Sequence, residues 1–92
     1  MDEATIQWTE YMMYRVRLRG FDVAKVEQIM RYSSERYLDT ATNRLVVVGR
    51  HDERLVMVLY ERVGDTLTPV TIHATSRQQI NFRVKSGRFR NE

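Results

Sequence analysis

Cysteine is absent from the 92 residues, so this chain has neither a disulfide nor a thiolate nucleophile. Its four glycines lie far apart, which excludes the clustered glycines of a phosphate-cradling loop or a dinucleotide fingerprint. A single proline, Pro69, rules out a proline-rich linker. Histidine occurs only at positions 51 and 73, outside any close-spaced zinc ligand set, and the acidic residues are not grouped for two-metal chemistry or glycoside hydrolysis. No cofactor or metal is therefore expected. No apolar run reaches eighteen residues, so no membrane-spanning helix and no membrane partner is expected. The opening Met-Asp-Glu-Ala-Thr is acidic where a secretory leader is basic and then apolar, and this points to a cytoplasmic protein.

What is present is a balanced globular composition, 42% apolar and 29% charged. The length suits one domain over residues 1–92, with flexible ends at 1–5 and 91–92. The net charge is only +3, but thirteen of the fifteen basic residues are arginine, the side chain best shaped to grip a phosphate with two parallel hydrogen bonds. They gather at Arg15 to Arg19 and again from Arg77 to Arg90, and no acidic residue interrupts Thr68 to Arg90. Two clusters that meet in space make a polyanion surface; two that stay apart make an ordinary solvated one.

The order of elements reads as helices, then a meander of strands. Thr9 caps a first helix to about Arg19, closed by Gly20, and Asp22 caps a second to about Tyr32. At 100° per residue Trp8, Tyr11, Met12, Val16 and Leu18 share a broad apolar face on the first helix. Arg15 and Arg19 fall within that face, so they snorkel to water, pair with a carboxylate such as Asp39, Glu61 or Asp65, or line a polar cleft beside His73. Val23, Val26, Ile29 and Met30 form the stripe of the second helix. A short strand at Glu35–Leu38 precedes the turn at 39–43. The runs Arg44–Gly49 and Leu55–Tyr60 are apolar without alternation, as in central strands buried on both faces. His51 falls at the hairpin tip between them. A last strand over Leu67–Thr75 alternates from Val70 to Thr75, and Pro69 sits at its entry or on an unpaired side. Residues 77–85 read either as a strand, from the alternation of Ile80, Phe82 and Val84, or as a helix capped at Ser76; the capping box and Gly87 favour the helix. The expectation is an α+β domain: two N-terminal helices on a four-stranded, mainly antiparallel sheet, with a C-terminal helix.

Metal-independent RNA cleavage needs a base for the 2′-hydroxyl, a cation for the phosphorane and a donor for the leaving oxygen. His73, on the face of the last strand that carries Thr71 and Thr75, is the natural base. Arg77 and Arg83 would clamp the phosphate, and Lys85 or Tyr60 would complete the set. The alternative for His73 is a half-buried strand histidine satisfied by a neighbour. Arg15, Arg19 and Arg88 are the further phosphate contacts. Phe89, between Arg88 and Arg90, is the ring expected to be exposed for base stacking, whereas Phe82 is expected in the core.

The stretch Arg15, Arg19, Gly20 resembles the Arg-x-x-x-Arg-Gly opening of small toxin-like domains grouped with the BrnT and RelE/ParE toxins of bacterial toxin–antitoxin pairs. Tyr11 stands where those domains usually carry histidine. The resemblance continues through Asp22–Met30 and the closing Val70-Thr71-Ile72-His73. It implies a helix–helix–sheet fold whose basic face cuts messenger RNA, often on the ribosome, until a cognate antitoxin protein masks it. ParE-like relatives act on gyrase instead, so a non-catalytic RNA- or gyrase-binding module is the second expectation.

Overall fold

The computed structural model describes residues 4–92. Three short polar side chains start its three helices. Thr9 accepts from the Met12 N–H at 3.1 Å and opens α1 (Glu10–Leu18). Asp22 accepts from Lys25 at 3.1 Å and opens α2 (Val23–Tyr32), and Ser76 accepts from Gln79 at 3.2 Å and opens α3 (Arg77–Lys85). Gly20, with φ +80°, ends α1 in a Schellman motif: its N–H bonds Arg17 O, and the Phe21 N–H bonds Val16 O. The helical reading of 77–85 agrees with this structure.

The strands are β1 (Thr5–Ile6), β2 (Glu35–Asp39), β3 (Arg44–His51), β4 (Arg54–Val63), β5 (Thr66–Thr75) and β6 (Phe89–Asn91), in spatial order β1-β5-β4-β3-β2-β6. All neighbours are antiparallel except β1 and β5. The expected four-stranded sheet is thus corrected to a six-stranded mixed one. The two added strands have two and three residues, too short for any alternating pattern to declare them. Both arise from tertiary pairing: β1 joins β5 at Thr66 and Leu67, and β6 joins β2. Thr5 and Asn91, expected in flexible ends, are therefore paired in strands; the first three residues lie outside those described.

The central strands β3 and β4 are apolar on both faces because both faces are covered. Val47, Val56, Val58 and Ile72 pack against Met12, Val16, Val26 and Met30 of α1 and α2. Val46, Val48, Met57 and Leu59 pack against Ile80 of α3 and Phe89 of β6. Pro69 lies within β5 rather than at its start. The register steps from Leu59↔Thr71 to Tyr60↔Pro69, so Val70 bulges out beside the residue that lacks an N–H. His51 is no exposed tip residue: it ends β3, 3% exposed, with Phe21 edge-on at 5.1 Å. Its Nε2 accepts the Asp22 N–H at 2.8 Å, which fixes the start of α2 and places the ring proton on Nδ1. No helix among the described residues is long and apolar enough to cross a membrane.

Candidate functional site

His73 sits on the α3-facing side of β5, opposite Met57. β1 covers β5 only at Thr66 and Leu67, so the edge of the sheet beside His73 is open. Arg19, at the end of α1, closes over that edge: its Nη1 donates to the Ile72 carbonyl at 2.9 Å and lies 3.3 Å from His73 Nδ1. A guanidinium only donates, so Nδ1 accepts and the ring proton resides on Nε2. Burial lowers the His73 pKa from its ordinary 6.5, and the positive charges of Arg19, Arg15 and Arg83 lower it further. At neutral pH His73 is therefore a neutral imidazole held among three arginines: Arg15 in α1, Arg19 at the C-cap of that helix, and Arg83 in α3.

The two basic clusters of the sequence do meet here, across the edge of one strand. Arg15 is less committed than Arg19. Its Nη1 donates to Tyr11 Oη at 2.6 Å, and its guanidinium lies 5.6 Å from the Tyr11 ring centre. The broad apolar face expected of α1 is narrower than the wheel suggested. Met12 and Val16 are buried, but Tyr11 and Leu18 are exposed, because the helix rests on the sheet along one seam and leaves its flanks outside. No carboxylate among the described residues pairs with either arginine: Asp39 pairs with Arg88 and Glu61 with Arg44.

A cavity of about 450 Å³ opens in front of His73. Met57, Leu59 and Ala74 form its apolar floor, Gln79 and Arg83 of α3 one wall, and Asp39, Thr42, Arg88 and Phe89 the far end. Arg83 lies over the Phe89 ring at 5.7 Å, and its Nη1 is buried with no hydrogen-bond acceptor among the described residues. A buried donor without a partner is costly, and an anion in the cavity would satisfy it. Arg88 grips Asp39 with Nε at 3.1 Å and Nη2 at 3.3 Å. Burial pushes the Asp39 carboxyl up, but bonds from Arg88, the Ala41 N–H and Thr42 outweigh it and hold the pKa below 3.8. Asp39 is thus an ionised anchor that orients Arg88, not a proton donor at neutral pH.

Of the residues expected in the site, His73, Arg83, Arg88 and Phe89 line the cavity, and Arg15 and Arg19 adjoin it. Phe89 is there as core: it is 2% exposed and stacks on Tyr37 with ring centres 5.5 Å apart, because β6 turns it inward. The exposed ring is Phe82 instead, on the outer side of α3 and 70% exposed. Arg77 does not reach His73. It forms a two-pronged pair with Glu35 of β2, at 2.6 and 3.0 Å, and this pair holds the Glu35 pKa down while burial and Glu35 push Tyr37 up to about 12. Lys85 falls roughly 140° around α3 from the buried Ile80, facing outward. Tyr60 belongs to the opposite core layer, where its hydroxyl accepts from Arg36 at 3.0 Å. Strand alternation separates it from His73: Leu59 faces α3, so Tyr60 faces α1 and α2. Asp39, Thr42 and Gln79 were not anticipated. Only the turn chemistry of residues 39–43 hinted at the first two, and nothing in the sequence tied that turn to the last strand.

Among the described residues no three histidine or acidic side chains converge as a metal site. Comparison with protein families, with curated proteins and with solved structures finds no match to this chain.

Proposed function

We propose that the chain is a metal-independent endoribonuclease, the toxin of a bacterial toxin–antitoxin pair acting in the cytoplasm. The observation that carries this is the neutral His73 held beside Arg15, Arg19 and Arg83 at the mouth of one cavity. The resemblance of Arg15, Arg19 and Gly20 to the toxin-like opening supports the same reading.

In this mechanism a phosphate of single-stranded RNA enters between Arg83, Arg88 and Arg19. The buried Arg83 Nη1 gains its missing acceptor, and Arg19 turns from His73 onto a phosphate oxygen. That movement frees Nδ1 to take the proton of the adjacent 2′-hydroxyl, whose oxygen attacks phosphorus. Negative charge on the equatorial oxygens falls among the arginines, which already occupy their positions before reaction. The P–O5′ bond breaks, the leaving oxygen takes its proton from water, and the hydroxide so formed takes the proton held on His73, which returns to the neutral imidazole. The products are a 2′,3′-cyclic phosphate and a 5′-hydroxyl. The cognate antitoxin is the expected inhibitor, covering the same basic face.

Incubating the protein with RNA in EDTA and sequencing the cut ends tests the assignment. Cyclic-phosphate ends are expected, and intact RNA, both free and ribosome-bound, overturns the enzyme reading. A second reading, the non-catalytic RNA- or gyrase-binding module, is favoured by one observation: among the described residues the cavity lining holds one histidine and neither lysine nor tyrosine to protonate the leaving oxygen. That module predicts binding that falls steeply with salt and no cleavage.

A further inference from the structure

The cleavage chemistry above makes no use of Phe82, although the ring is large and open to water. α3 buries Ile80 completely and turns Phe82 away from both core layers. Leaving an aromatic ring so exposed forfeits its burial energy, and single exposed rings are unremarkable unless their surroundings are shaped. Here they are. A second hollow of about 520 Å³ lies against the ring, lined by Gln78, Gln79, Phe82, Arg83, Ser86 and Arg88. Gln79, Arg83 and Arg88 also line the His73 cavity, so the two hollows meet across the Arg83 side chain.

The chemistry of this lining is specific. No carboxylate lines the hollow, and two guanidinium groups stand at its inner rim. Gln79 spends its carbonyl on the Thr75 hydroxyl at 3.1 Å, leaving its amide N–H groups to donate. Gln78 adds a second amide. The surface of the hollow is mostly apolar, from the Phe82 ring and the stems of its glutamines and arginines, while the polar groups among its lining side chains are amides, a serine hydroxyl and guanidinium groups. A planar heterocycle with polar edges, attached to a phosphate, matches a ring flanked by amides and cations.

We infer that this second hollow is a nucleobase subsite. Phe82 stacks a base of single-stranded RNA, and Arg83 and Arg88 hold the phosphate beside it. The side chains of Gln78 and Gln79 face the edge of that base, so they set preference at one nucleotide flanking the phosphate in the His73 cavity. The inference rests on the proposed function of that cavity.

The test uses 2′-O-methyl uridine oligomers of about eight residues, which cannot be cut by 2′-hydroxyl attack, and abasic oligomers carrying the same phosphates. Binding is measured by fluorescence anisotropy for the wild-type protein, Phe82→Ala, Phe82→Trp and Arg83→Ala. Because Phe82 is exposed, its replacements are expected to leave the melting temperature unchanged. Phe82→Ala is expected to weaken the uridine oligomer between about five- and about 150-fold while leaving the abasic oligomer unaffected. Phe82→Trp should retain binding, and Arg83→Ala should weaken both oligomers. Equal affinity of wild type and Phe82→Ala for the uridine oligomer, with Arg83→Ala still weakening both, overturns the base subsite and leaves the phosphate site standing; the ring then belongs to a protein contact. Equal losses for both oligomers in Phe82→Ala overturn it as well. Failure of the wild-type protein to bind either oligomer overturns the inference together with the reading beneath it.

Discussion

Replacing Arg19 with alanine separates the electrostatic role of this side chain from its structural one. Arg19 bonds the Ile72 carbonyl at 2.9 Å and lies 3.3 Å from His73 Nδ1, whereas the exposed Arg17 on the same helix points elsewhere. Loss of the carbonyl bond occurs at an open sheet edge where water can substitute, so its stability cost is about 0.5–1.5 kcal/mol. For a domain of this size that lowers the melting temperature by about 4–8 °C per kcal/mol, which leaves the protein folded for binding work. After burial, Arg19 is the largest influence holding the His73 pKa below 6.5. Its removal therefore moves the pKa up, and Arg15→Ala moves it the same way by less. Arg17→Ala leaves it in place. For RNA, losing one charged hydrogen bond to phosphate costs about 1.5–3 kcal/mol, or roughly 10- to 150-fold in affinity, against little change for Arg17→Ala. An NMR titration of the His73 ring protons in the three variants reads the first effect directly. A His73 pKa indifferent to Arg19→Ala, or equally displaced by Arg17→Ala, would refute the geometry on which the site is built.

Further outcomes are expected at His73, at Asp39 and at Gly49. A bound phosphate opposes the surrounding arginines and raises the His73 pKa, so RNA binding takes up a proton; affinity should strengthen as pH falls towards the lowered pKa of the free protein, and His73→Gln should flatten that dependence in calorimetry. In the free protein the sign is opposite. The unfolded state binds that proton more readily, so the contribution of His73 to stability is present above about 6.5 and lost as pH falls towards its folded value. Asp39→Ala strips Arg88 and the Ala41 N–H of their acceptor and should cost about 1–3 kcal/mol in urea unfolding. In the wild type, the lowered pKa values of Asp39 and Glu35 place their stabilisation above 3.8 and 4.5, with loss below, and Asp39→Asn should shallow the acid limb. Gly49→Ala puts a methyl 2.7 Å from Ile29 Cγ2 where α2 meets β3; about 1–3 kcal/mol of destabilisation is expected, relieved in part by Ile29→Val in a double-mutant cycle.

The helices were legible because each announces itself locally. Thr9, Asp22 and Ser76 cap them as their side-chain chemistry dictates, and Gly20 takes the left-handed residue that closes α1. The strands β3 and β4 were legible because burial on both faces writes an unbroken apolar run. What the chain concealed is set by pairing across long sequence distances. β1 and β6 exist because β5 and β2 offer edges, and three residues such as Phe89–Asn91 carry no periodicity. The same pairing turned Phe89 inward and left Phe82 out, reversing the expectation from a run of Arg-Phe-Arg. His73, Arg15, Arg19, Arg83 and Arg88 could be gathered from their charge and from the absence of acid around them. Tyr60 could not be excluded without the register, since the bulge at Val70 and strict alternation decide its face. The ion pair of Arg77 with Glu35 joins residues 42 positions apart, and neither residue type at its own position signals the other.

The central claim is that His73 moves the proton while the arginines hold the phosphate. Its most direct test compares wild type with His73→Ala on one RNA, in EDTA, measuring cleavage and affinity together. The account predicts cyclic-phosphate products from the wild type, cleavage lost by a factor of about 10²–10⁴ in the variant, and affinity within a few-fold of wild type. Cleavage undiminished in His73→Ala, or no cleavage by either protein of free or ribosome-bound RNA, would contradict it.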